Sequence, residues 1–167
     1  MLFIDMDGVL SDFSGHVKNL LGFYPHENED LMQREVPKIP DFWDTMPMLP
    51  DALDLWEHVK QYNPYILTAS ASWDREASER AKPIWLMKHL PGLNPDRIRV
   101  VRRSQKADYA VRINEAEDKT HPCVLVDDYN KNAMEWSKAG GVPVLHVSAL
   151  TTIRTLELPH VKRHFHF

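Results

Sequence analysis

The chain has 167 residues, 43% of them hydrophobic and 26% charged, which fits one ordinary globular domain with room for a small insert. Five Trp, six Phe and five Tyr supply material for a core, and the composition excludes a disordered, collagen-like or low-complexity chain. A net charge of −4 argues against an extended nucleic-acid surface but says nothing against a local basic pocket.

The single cysteine, Cys123, excludes an intramolecular disulfide and a Cys-rich zinc site. Placed in the run Cys123-Val124-Leu125-Val126, it reads as a small buried hydrophobe. The opening Met-Leu-Phe-Ile-Asp is too short and too soon acidic for a signal peptide. No run approaches the roughly 18 consecutive apolar residues of a membrane span, so the expected protein is soluble and cytoplasmic, without a membrane partner.

Five short apolar runs read as strands: Leu2–Ile4, Tyr65–Leu67, Ile98–Val101, Val124–Val126 and Val142–Val147. Continuous apolar runs suit strands covered on both faces, as in a parallel sheet. Between them, 51–62, 74–90 and 130–139 carry helical patterning, the second stopped by Pro91-Gly92 and the third by Gly140-Gly141. Strand and helix alternate, which predicts an α/β fold: a three-layer, Rossmann-like parallel sheet with helices on both faces. Residues 13–50 break the alternation. They offer two short helices, Gly15–Leu21 and Asn28–Glu35, then a stiff stretch with Pro37, Pro40, Pro47 and Pro50. The expected organisation is therefore a core of residues 1–12 and 51–167 with a small helical cap, 13–50, inserted after the first strand. His160, His164 and His166 near the C-terminal end read as a surface tail without a catalytic role.

The chemistry concentrates at strand ends. Asp5 and Asp7 follow the first strand, and alternate residues of an extended chain share a side. Gly8 then permits a sharp turn. A second acidic pair, Asp127-Asp128, follows the run Val124–Val126. In a parallel sheet these ends lie on one edge, where ligands of open α/β sheets bind. Carboxylates meeting there repel one another and call for a cation, and oxygen-only donors favour Mg²⁺. Thr68-Ala69-Ser70 follow the second run, and a hydroxyl and free backbone N–H groups at this edge suit a phosphate oxygen.

Together these residues resemble the haloacid dehalogenase-like superfamily of phosphatases. Asp5-Met6-Asp7-Gly8-Val9-Leu10 is similar to its first motif, Thr68 to the second, Lys106 to the third and Asp127-Asp128 to the fourth. A narrower resemblance, to the 5′(3′)-deoxyribonucleotidases, is carried by Pro40-Asp41-Phe42-Trp43-Asp44-Thr45-Met46-Pro47 and by Ala81-Lys82-Pro83-Ile84-Trp85-Leu86. Here Thr68-Ala69-Ser70 stands where that family carries Thr-Ser-Pro.

The resemblance implies a Mg²⁺-dependent phosphatase for nucleoside monophosphates, acting through an aspartyl-phosphate. Asp5 would be the nucleophile and Asp7 the general acid and base. The metal ligands would be Asp5, Asp7 through its backbone carbonyl, Asp127 and Asp128. Thr68, Ala69, Lys82 and Lys106 would hold the phosphate, and Phe42 and Trp43 the nucleobase, with Trp73 lining the same cleft. Asp5, Asp127, Asp128 and a phosphate dianion carry about −5, against which Mg²⁺ and two lysines set about +4. A phosphatase for sugar phosphates or polynucleotide 3′ ends, or a non-catalytic phosphate-binding protein, remains open as an alternative.

Overall fold

A computed structural model describes residues 1–116 and 121–165. The chain runs β1 (Leu2–Ile4), α1 (Phe13–Leu21), α2 (Glu29–Glu35), α3 (Ala52–Val59), β2 (Tyr65–Ala69), α4 (Arg75–His89), β3 (Ile98–Val101), α5 (Lys106–Ala116), β4 (Val124–Asp127), α6 (Asn130–Lys138), β5 (Val142–Leu145), α7 (Ala149–Leu156) and α8 (Pro159–Lys162). The strands form a five-stranded sheet in the order β3-β2-β1-β4-β5, parallel throughout. β1 lies at the centre, with Ile4 in register with Ile66 of β2 and Val126 of β4. The expected sheet, its helical layers and its Rossmann-like class are all present.

Period-two alternation sorts each strand onto two apolar layers. Leu2, Ile4, Ile66, Val124 and Val126 face the larger cluster, which also holds Leu55, Trp56 and Val59 of α3, Trp85 and Leu86 of α4, and Leu156 of α7. Phe3, Tyr65, Leu67 and Leu125 face the smaller one, closed by Trp136 of α6 and flanked by Ala107 and Ile113 of α5. Cys123 belongs to this second layer and is a buried free thiol, as expected.

The boundaries differ from expectation in instructive ways. β2 extends through Thr68 and Ala69 because both pair with β3, Thr68 with Val100 and Ala69 with Val101. β5 ends at Leu145, before the expected Val147, because the chain turns into the Ser148 capping box of α7. The C-terminal stretch is not a surface tail: His164 and Phe165 are buried, Phe165 against Tyr62 with ring centroids 5.0 Å apart. His160 is exposed, and His166 lies outside the described residues. Among the described residues no helix is long and apolar enough to cross a membrane.

Residues 13–50 form α1 and α2 followed by a turn-rich return. Val17, Met32, Val36, Phe42, Trp43 and Met46 from this stretch join the larger apolar cluster. Trp85 of α4 fastens the return segment, its buried indole Nε1 donating to the Met46 carbonyl at 2.7 Å. Trp85→Phe keeps the ring but leaves that carbonyl without a donor in an apolar setting, so we expect a loss of about 1–3 kcal/mol. Urea unfolding measures it; a midpoint equal to that of the parent chain would show that this tie does not hold the segment down.

Candidate active site

The loop after β1 is built by one carbonyl. Met6 O accepts from the backbone N–H groups of Val9, Leu10 and Ser11 at 3.2, 2.8 and 3.0 Å, and Gly8 N–H donates to Ser11 O at 2.9 Å. Gly8 has φ +79°, and a Cβ on it would run into the Asp128 carboxylate. Glycine is thus required twice here, for the turn and for the approach of the second acidic pair.

Asp5 continues the central ladder, its N–H donating to Val126 O at 2.9 Å. Its Oδ1 accepts from Met6 N–H at 2.7 Å and its Oδ2 meets Lys106 Nζ at 2.8 Å. The same ammonium lies 2.9 Å from Asp127 Oδ2. Asp127 is 1% exposed. Asn132 Nδ2 donates to its two oxygens at 3.1 and 2.9 Å, and Tyr129 N–H donates to Oδ1 at 2.9 Å. Lys106 opens α5 and reaches both strand ends at once. Burial by itself would lower its pKa, but Asp5 and Asp127 outweigh that and raise it, so it stays an ammonium.

Asp7 takes a different partner. Its Oδ2 accepts from Lys82 Nζ at 2.5 Å and its Oδ1 from Ser11 Oγ at 3.0 Å. Lys82 projects from α4, one residue before Pro83, and is 1% exposed. It also donates to Ala69 O at 2.6 Å and Thr68 Oγ1 at 3.2 Å, and lies 5.2 Å from the Trp43 ring centroid. Asp5 and Asp7 therefore share an edge, as the spacing predicts, yet each is held by its own lysine.

Asp5, Asp127 and Asp128 bring carboxylate oxygens within 4.8 Å of one another. The donor set fits a hard divalent cation, being oxygen-only, anionic and compact. The electrostatics fit too. Burial, then the charges of Asp127 and Asp7, push the Asp5 carboxyl up to about 8 despite Lys106. Burial and Asp127 push Asp128 up to about 6. A bound cation would favour both ionised forms. The Asp7 side chain is engaged by Lys82 and Ser11 and stands outside this trio.

The cleft beside the acids has a volume of about 520 Å³. Asp7, Lys82 and Ala69 mark its inner end, and Trp43 and Trp73 line it with ring centroids 5.7 Å apart. Phe42 does not line it. Only 2% exposed, Phe42 packs edge-on against Phe13 and Trp43 and beside His16. The expected aromatic pair is thus split: Trp43, itself only 3% exposed and part of the apolar core, reaches the cleft wall, while Phe42 packs behind it. Trp43 is oriented by Asp74, whose Oδ2 accepts from Nε1 at 2.6 Å. Ser11, Asp74 and Asn132 were not singled out from the sequence. Ser11 and Asn132 each follow an acidic residue by four or five positions, a spacing with meaning only once the intervening turn is known.

The raised carboxyl groups set a pH dependence. Between the unfolded value of 3.8 and the folded values of about 8 and about 6, the native state holds protons that the unfolded chain has released. Stability from these groups is therefore present at low pH and lost as pH rises through that window. Mg²⁺ binds the ionised trio, so its stabilisation should grow with pH. Melting curves with Mg²⁺ and with EDTA, at pH 5 and pH 8, check this. A Mg²⁺-induced shift in Tm no larger at pH 8 than at pH 5 would contradict the arrangement.

No protein-family model matches the sequence, and no curated protein matches it. Solved structures share the fold. A hydrolase from Streptococcus pneumoniae TIGR4 superposes with a TM-score of 0.52 at 14% identity, over 94% of this chain and 97% of its own. A haloacid dehalogenase-like family hydrolase from Streptococcus pneumoniae gives 0.53 at 10% identity, over 95% of this chain and 90% of its own. A chain from Lactobacillus delbrueckii subsp. bulgaricus, provisionally named a phosphoglycolate phosphatase, gives 0.53 at 14% identity, over 93% and 97%. With its five-stranded parallel sheet and mutual coverage of 90% or more, the chain has the α/β Rossmann-like fold seen in haloacid dehalogenase-like hydrolases.

Proposed function

We propose that this protein is a Mg²⁺-dependent phosphomonoesterase of the haloacid dehalogenase-like type, working through a phosphorylated aspartate on nucleoside monophosphates. One observation carries the reading: Asp5, Asp127 and Asp128 converge with Lys106 at a single edge, beside Lys82, Asp7 and Thr68. Carboxylates and ammonium groups in that density suit the stabilisation of a transferring phosphoryl group. Held by Asp5, Asp128 and the backbone carbonyl of Asp7, with Asp127 behind, Mg²⁺ would neutralise the carboxylates and the oxygens of the substrate phosphate.

Asp5 is the nucleophile. One carboxylate oxygen forms a bond to phosphorus while the bond from phosphorus to the alcohol oxygen breaks. Asp7 delivers a proton to that departing oxygen. It then takes a proton from the water that attacks the phospho-aspartate, releasing inorganic phosphate and restoring Asp5. Lys106 keeps its charge beside Asp5 and Asp127 throughout. Lys82, now tied to Asp7, Thr68 and Ala69, offers its protons to the phosphoryl oxygens when substrate arrives. Residues 13–50 act as a cap, placing Phe13 and Trp43 over the cleft and limiting it to small substrates. The nucleoside reading rests on Trp73, half-buried and turned toward the cleft, with Trp43 behind it as a base-stacking wall.

Asp5→Asn should lower turnover of an aryl phosphate by about 10³-fold or more while the protein stays folded, and EDTA should abolish activity that Mg²⁺ restores. Activity that survives either treatment would exclude this mechanism. Trp73→Ala should lower kcat/KM for nucleoside monophosphates about tenfold more than for the aryl phosphate. Equal losses on both would exclude base stacking at Trp73 and with it the nucleotide assignment.

A further inference from the structure

The cleft has a second end. Toward β3, two strands from the β1 end that bears Asp7, its wall includes Arg102, Arg103 and Ser104 between β3 and α5, and Arg75 at the start of α4 also lines it. Four cationic side chains line the cleft, Lys82 and these three arginines, against two acidic ones, Asp7 and Glu29. Lys82 and Asp7 are paired with each other, so the outer end keeps three guanidinium groups against one carboxylate.

The guanidinium groups are not equally occupied. Arg103 is committed to Glu135 at 2.8 Å and to Asn132 Oδ1 at 3.3 Å. Arg75 meets Glu79 at 3.7 Å, a half-exposed contact within one helix that is worth little. The Arg102 guanidinium has no hydrogen-bond or ion-pair partner among the described residues, its backbone carbonyl alone accepting from Gln105 N–H at 2.9 Å. Arginine's rigid fork of donors matches the oxygens of phosphate or carboxylate in pairs. Hydrolysis of the scissile phosphate uses none of these groups, because Lys82, Lys106 and Thr68 already surround that position. The cleft, at about 520 Å³, is large enough for a ligand that extends well beyond one phosphate.

We infer that the preferred substrate carries a second anionic group, a phosphate or a carboxylate, at the end remote from the bond that is cleaved, and that Arg102 with Arg75 binds it. This rests on the phosphomonoesterase reading and deepens it: the aromatic wall takes the body of the molecule and the arginine wall takes its far charge. A nucleoside 3′,5′-bisphosphate meets both demands, as does a phosphorylated hydroxy acid with an apolar middle.

The test compares matched pairs of substrates. A nucleoside 3′,5′-bisphosphate is set against its 5′- and 3′-monophosphates, and a phosphorylated hydroxy acid against the phosphorylated alcohol of the same length. The expected result is a kcat/KM about 10–100-fold higher for the member with the second charge in at least one pair. The pair that responds tells phosphate from carboxylate. Arg102→Ala should shrink that preference about tenfold, and Arg102→Gln should do the same with less risk to the fold. Rising ionic strength should also weaken the preference. No preference in either pair, or a preference unchanged in both variants, would overturn the inference. Failure of the phosphomonoesterase reading shows separately, as absence of turnover on all five substrates and on an aryl phosphate. Calorimetric binding of the bisphosphate and of the hydroxy-acid phosphate, to the parent chain and to Arg102→Ala, would then decide the arginine wall alone: tighter binding of either by the parent supports it and equal binding of both refutes it.

Discussion

Three carboxylates on two neighbouring strands want to be apart, and the architecture holds them together. β1 and β4 are adjacent and in register, so Asp5, which follows β1, and Asp127, which ends β4, arrive side by side at the same edge. At an effective dielectric of about 20, two unit charges 4 Å apart repel by about 4 kcal/mol. Lys106 sits between the two and answers that repulsion directly. It cannot answer all of it: burial first, and the remaining repulsion after it, displace Asp5 and Asp128 upward. An edge of this kind is built for further positive charge, whether protons when the solution is acidic or a divalent ion when it is not.

The fold supplies the stiffness needed to keep such a cluster. The strand bearing Asp5 is the central one, covered on both faces by apolar layers, so its end cannot swing away to relieve the repulsion. Asp127 is fixed by Asn132 and by the backbone of Tyr129 at the start of α6. The loop between β1 and α1 is folded onto the Met6 carbonyl, and Gly8 leaves space for Asp128 to close in. Apolar burial thus stabilises the chain by an amount large enough to carry the local electrostatic cost.

Much of this was legible in the sequence because it follows from periodicity. Five apolar runs gave five strands, and the rule that parallel strands share one functional edge placed Asp5, Thr68 and Asp127 together across more than a hundred positions. Less legible was anything decided by a turn. Asp5 and Asp7 look equivalent at a spacing of two, but the chain leaves the strand after Asp5 and the loop delivers Asp7 to Lys82 instead of Lys106. Phe42 and Trp43 look like a matched pair, yet neighbouring residues in a turn point in different directions, so Trp43 reaches the cleft wall from the core while Phe42 stays wholly within it. The C-terminal histidines look solvated because they are polar, whereas His164 is carried inward beside Phe165. Arg102 had no signal at all, since an arginine after a strand acquires meaning only from the wall opposite it.

The two lysines divide the edge into halves with different chemistry. Lys106 bridges Asp5 and Asp127 and is buried by the sheet and α5, so its charge is a fixed part of the scaffold. Lys82 reaches in from α4 and binds a carboxylate, a hydroxyl and a carbonyl while lying against the Trp43 ring. An ammonium has three protons, and here three oxygens accept them. In the proposed reaction, a phosphate oxygen that reaches Lys82 displaces one of these acceptors, and the Asp7 carboxylate is the one with a second partner in Ser11. Trp43 belongs to the 13–50 segment and Lys82 to α4, so, on the proposed reading of that segment as a cap, its contact with substrate is joined to the exchange of partners at Lys82.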